Sequence, residues 1–167
     1  MTLQPGLRKF VLFAHVTSSV GLLGAVVCFL VLAVSGLSGL NDQTERADYI
    51  AMNSLAELVI VPLAFASLLI GILSSLGTQW GLIRYYWVAA KLLLTVLTII
   101  VLLFQMHSIG QLAAMAEERT ISSGDLGLQT RVVIHAAGGL IVLLIISALS
   151  VFKPKGITSY GQRKLIQ

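Results

Sequence analysis

Charge is scarce in this sequence. Only 11% of its 167 residues are Asp, Glu, Lys or Arg, against about 25% in soluble domains. With a mean hydropathy of +0.94, that deficit excludes a soluble globular domain and makes the chain an integral membrane protein. Cysteine is nearly absent: the single Cys28 excludes an internal disulfide and any cysteine-rich metal cluster. Histidine occurs three times, at positions 15, 107 and 135. Two bis-histidine haems would need four, so one subunit does not hold that arrangement. Of three prolines, only Pro62 falls inside an apolar run. The net charge of +4 is no sign of nucleic-acid binding, because the cations flank the apolar runs.

What is present is apolar length. Runs at about 10–37, 49–76, 84–106 and 131–152 each reach the roughly 20 residues that a helical span needs. The expected fold class is therefore all-α, a single four-helix transmembrane bundle without a separate soluble domain. The first run follows Arg8 and Lys9 and far exceeds the 7–15 residues of a signal-peptide core, so it reads as a retained span. Residues 38–48 and 107–129 read as polar loops, the first half of the second being able to continue as an amphipathic helix. Residues 77–81 read as a tight turn. Pro62 has no N–H for the carbonyl of Leu58, which predicts a kink one turn beyond Glu57. Pro154 stops the fourth helix.

Charge bias sets the orientation. Arg8, Lys9, Arg84, Lys153, Lys155, Arg163 and Lys164 fall on one side with no acid. Arg46, Arg119 and Arg131 fall on the other beside Asp42, Glu45, Asp48, Glu117, Glu118 and Asp125. The positive-inside rule then predicts both termini in the cytoplasm, with four spans, and with both long loops outside.

The third run, RYYWVAAKLLLTVLTIIVLLFQ, carries its polar residues in a stripe. Arg84, Trp87, Lys91, Thr95, Thr98 and Gln105 share one helix face. A lysine inside a bilayer costs roughly 2.5–3.5 kcal/mol unless it faces the protein and finds a partner. At 1.5 Å per residue, His15 and Lys91 lie at similar depth, roughly 10 Å from the basic side. Glu57 and His135 fall in the opposite half, with His107 at the mouth there. The expectation is two layers, His15 with Lys91 and Glu57 with His135.

Intramembrane ionisable groups are functional candidates by default. Lys91 and Glu57 are the candidate catalytic residues. His15 and His135 are the candidate haem or metal ligands, with Lys91 as a partner for a propionate. One haem held by both histidines is disfavoured by their depths, about 10–15 Å apart. A metal on His15 and Lys91 is disfavoured because a protonated lysine offers no lone pair. Ser18, Ser19 and Leu22 share the face of His15, and Gly21 and Ala25 permit close helix approach. Gly138 and Gly139 leave room for a neighbouring helix or a flat ligand.

Two stretches carry a family resemblance. Phe10-Val-Leu-Phe-Ala-His15-Val-Thr-Ser-Ser-Val-Gly21-Leu-Leu-Gly24 resembles the first helix of the HemJ-type protoporphyrinogen oxidases and of the membrane domain of copper-resistance protein D. Trp87-Val-Ala-Ala-Lys91-Leu-Leu-Leu resembles the aromatic-x-x-x-Lys-Leu signature of the same families. The whole chain is similar to an uncharacterised bacterial four-helix membrane group related to both. The HemJ resemblance implies a four-helix protein with b-type haem, in which His15 and Lys91 are the key pair. Val20 stands where those relatives usually have tryptophan.

Three functional readings follow. The first is a haem b protein in membrane redox chemistry, working with a quinone or a porphyrin. The second is a transporter or channel using Lys91, Glu57 and His135, which would need a homo-oligomer because four helices enclose little space. The third is an accessory subunit whose polar groups only specify packing. In each the surrounding partner is the lipid bilayer, and none involves nucleic acid.

Overall fold

The computed structural model describes residues 4–39, 41–77, 81–121, 125–154, 156–159 and 161–162. Helix α1 runs Pro5–Leu37, with proline at the first position, where no N–H is needed. Helix α2 runs Asp42–Leu76. It starts seven residues earlier than the apolar run, inside the expected 38–48 loop. The cause is local: the Asn41 side chain accepts from the Gln43 N–H at 2.9 Å, and Asp42 and Glu45 sit in the first turn. Such acids stabilise a helix N-terminus.

Just before Pro62, where a kink is expected, the helix changes its hydrogen bonding. Residues Ala56–Ile60 make a π-turn inside α2, and the N–H of Val61 bonds to the carbonyl of Ala56. Widening the helix there accommodates a proline ring that would otherwise strike the carbonyl of Leu58.

Helix α3 runs Tyr86–Glu118 and α4 runs Leu126–Phe152. The expected 107–129 loop is thus mostly helix, and only 119–125 connects the two. Arg119 ends α3 in the left-handed conformation (φ 58°), as Lys153 ends α4 (φ 43°). Of the expected 77–81 turn, Gly77 closes α2 on the carbonyl of Leu73 at 2.9 Å and Gly81 takes φ 60°. Thr78, Gln79 and Trp80 lie outside the described residues.

Helix α1 packs against α2 and α4, and α3 packs against the same two. The bundle is therefore up-down-up-down, with α1 diagonal to α3 and α2 diagonal to α4. Both termini share one end with the α2–α3 connection; the other is the loop end. Four helices are long and apolar enough to cross a bilayer, and their outward residues, Phe10, Phe13, Leu58, Leu93 and Phe104 among them, are exposed. This is a membrane protein.

Packing is tightest toward the loop end. Ala33, Tyr49, Met52, Ala56, Leu112, Ala116 and Val132 are buried together. A helix of 33 residues is about 50 Å long, well over the roughly 30 Å hydrocarbon core. The excess carries polar joints: Gln129 Nε2 donates to Glu45 Oε1 at 3.1 Å, and Arg46 Nε donates to the carbonyl of Ala116.

At the terminal end the tail folds back on the α2–α3 connection. Tyr85 and Ile157 form an antiparallel bridge. Thr158 N–H donates to the carbonyl of Arg84 at 3.0 Å, and its hydroxyl to that of Ile83 at 2.6 Å. A Cβ on Gly161 would lie 2.5 Å from the Arg84 carbonyl oxygen, which is backbone and cannot step aside. Gly161→Ala should therefore release the tail without unfolding the bundle. Overpacking of this kind costs about 1–3 kcal/mol, so tryptic cleavage beyond Lys153 should accelerate about tenfold while helical circular dichroism is unchanged. An unaltered cleavage rate would refute the docked tail.

Candidate functional site: a cationic cleft at the terminal end

All four helices contribute to a cleft of about 670 Å³ at the terminal end. Its space comes from small residues on α2. Ser67, Gly71 and Ser75, spaced by four, turn one narrow stripe toward α1. Gly71 gives the ring its place there, because a Cβ would lie 2.9 Å from Cε1 of His15 and push the ring aside. The half-buried His15 thus lies flush against α2, with Nδ1 buried and without a hydrogen-bond partner. Beside it, the Ser19 and Ser67 hydroxyls bond at 2.9 Å, and Ser18 Oγ donates to the carbonyl of His15 at 3.0 Å.

Lys91 enters the same cleft from α3, one turn beyond the buried Trp87. Its Nζ donates to Ser150 Oγ at 2.9 Å and lies 5.0 Å from the centroid of the Trp87 ring. Ser150 donates in turn to the carbonyl of Ile146 at 3.0 Å, leaving its oxygen lone pairs to receive the ammonium. Arg8 and Lys153 complete the cationic lining, and no Asp or Glu is among the lining residues. A cavity lined by one sign of charge between low-dielectric walls concentrates ligands of the other sign.

The polar stripe of α3 continues along a second cavity, an apolar groove of about 470 Å³. Thr98 and Gln105 line it from α3, and His135, Gly138 and Gly139 from α4. His135 is exposed, and its Nδ1 lies 2.7 Å from the carbonyl of Arg131.

The structure thus places His15 and Lys91 in one cleft and His135 in another cavity. Glu57 lines neither: it is exposed on α2 and accepts from Asn53 Nδ2 at 3.2 Å. Both Glu57 and His135 are exposed and they line no cavity together among the two described, so they form no common layer. His107 is exposed along α3. Among the described residues no three His, Cys, Asp or Glu side chains group closely enough to hold a metal ion.

Sequence reasoning missed Ser150, the partner of Lys91. The available signal was a serine one turn before Lys153 in a run with few polar residues. It also missed the full Ser67–Gly71–Ser75 spacing. No protein-family model, curated protein or solved structure matches this chain. The class is thus defined by the fold and its cavities: a four-helix membrane protein with a cationic cleft at its terminal end.

Proposed function

We propose that this is a bacterial inner-membrane protein that binds haem b, or a closely related porphyrin, in the cationic cleft and takes part in membrane redox chemistry. The observation that carries the reading is His15, whose buried Nδ1 has no partner, in a cleft that also holds Lys91. The donor set fits a porphyrin with one axial histidine, because His15 is the only histidine lining the cleft. It does not fit a bis-histidine site. A volume of about 670 Å³ is within the usual range of roughly 300–1,000 Å³ for ligand sites.

His15 would ligate the iron, and Arg8, Lys91 and Lys153 would face the two propionates at the basic rim. Bound haem would supply one-electron transfer. Trp87 and the apolar walls exclude water from the macrocycle, and the Ser150 hydrogen bond holds Lys91 in place. The resemblance to the HemJ-type oxidases supports this pairing of His15 with Lys91. The cation-rich termini favour cytoplasmic placement of both chain ends, and with them of the cleft.

Lys91 lines the cleft, His135 the apolar groove and Glu57 neither, so the transport reading gains no support. The test is an oxidised and dithionite-reduced spectrum of protein purified from cells supplied with haem precursor. The expected result is a stoichiometric b-type spectrum that His15→Ala removes at unchanged yield. A colourless wild type, or a spectrum that survives His15→Ala, would overturn the assignment.

A further inference from the structure

The apolar groove between α3 and α4 has polar atoms at only a few points. Gln105 Nε2 is buried without a hydrogen-bond partner. A donor left unsatisfied in an apolar surrounding is costly, which makes it receptive to a ligand oxygen. His135 stands on the other wall. Its Nδ1 faces the Arg131 carbonyl at 2.7 Å, and a carbonyl can only accept, so Nδ1 carries the proton. In the neutral ring Nε2 is then an acceptor. Gly138 and Gly139 offer nothing within 4 Å of a would-be Cβ, so the wall beside His135 is open. Thr98 also lines the groove, its hydroxyl spent on the carbonyl of Leu94 at 2.8 Å, and the rest of the lining is Leu, Val, Ile, Ala and Phe29.

We propose that this groove is a binding site for an isoprenoid quinone. A ligand here needs a long apolar tail and a compact ring that both accepts and, when reduced, donates. Gln105 Nε2 donates to a ring carbonyl, and His135 Nε2 accepts from the hydroxyl of the reduced form. An acyl chain alone would fill the apolar length but leave both polar atoms unmatched. The groove is separate from the cleft and does not depend on haem being bound there.

The test uses protein in phosphatidylcholine nanodiscs and measures uptake of decylubiquinone, decylubiquinol and decylbenzene above that of empty discs. Decylubiquinone should saturate at one per chain, whereas decylbenzene should show no saturable uptake. Gln105→Leu should weaken the quinone about tenfold, and His135→Ala the quinol by a similar factor. His135 is exposed, so that variant tests the site even if Gln105→Leu disturbs the fold. Gly139→Leu, which projects into open space, should abolish uptake of both. Saturable decylbenzene uptake would make the groove a lipid-tail site and overturn the proposal. Absence of saturable quinone uptake, or wild-type affinity in His135→Ala for the quinol, would overturn it as well.

Discussion

Gly36→Val is expected to lower the thermal unfolding temperature more than any other single change at a glycine of the bundle. A Cβ at this position would lie 2.9 Å from Cζ of Tyr49, 3.0 Å from Cε1 and 3.1 Å from the hydroxyl. Tyr49 is only 2% exposed, so the ring has nowhere to go, and a β-branched residue adds two further methyl groups to the clash. Overpacking in a closed core costs about 1–3 kcal/mol and occasionally more. For a chain of this size that corresponds to a drop of roughly 2–12 °C.

The pair should also be coupled. Truncation of a buried aromatic costs about 3–5 kcal/mol by itself, but it vacates the space that the valine needs. Gly36→Val combined with Tyr49→Ala should therefore be destabilised by less than the sum of the two single variants. Additive effects in the thermal unfolding of the four proteins would refute the contact.

Lys91→Leu is expected to separate stability from function. The ammonium is held by one hydroxyl and one ring, with no carboxylate lining the cleft. Placing a charge within a membrane span costs roughly 2.5–3.5 kcal/mol on insertion scales. Two neutral partners return only part of that, so leucine should leave the unfolding temperature unchanged or raise it. Affinity for a porphyrin dicarboxylate should fall at least tenfold, since a hydrogen bond to a charged group contributes about 1.5–3 kcal/mol. Lys91→Arg should retain most of the affinity. A leucine variant that binds as tightly as wild type would leave Lys91 with a packing role. A leucine variant that unfolds would show that the Ser150 and Trp87 contacts hold the helices together.

The four-helix plan was legible because it follows from apolar length, which needs no knowledge of neighbours. The inward face of α3 was legible for a similar reason: Trp87, Lys91, Thr95, Thr98 and Gln105 recur at helical spacing, and the same residues line the two cavities. Helix ends were less legible, because hydropathy marks where lipid stops rather than where the helix stops. Asn41 with Asp42 and Glu45 carried the true start of α2 in its capping chemistry, but polar composition masked it as loop. The pairing of Glu57 with His135 failed because depth was estimated along each helix without its angular setting. Equal depth brings two residues together only if both turn inward, as Glu45 and Gln129 do and the exposed Glu57 does not, and which face turns inward is set by packing between segments distant in sequence.

The π-turn in α2 has a consequence for that angular setting. Above it, Tyr49, Met52 and Ala56 face the core; below it, Ile60, Ala64 and Ser67 do so, with Gly71 lining the cleft beyond. Three successive steps of four, from Met52 to Ala64, exceed the 3.6-residue period of an α-helix, and an uninterrupted helix would carry the lower residues progressively off the core face. The extra residue in the turn resets the phase. The wide turn thus works as a coupling between two rotors, fixing the azimuth of the lower half against the upper. The stripe of Ser67, Gly71 and Ser75, and with it the seat of His15, is aimed from Ala56–Ile60, several turns away from the cleft it shapes.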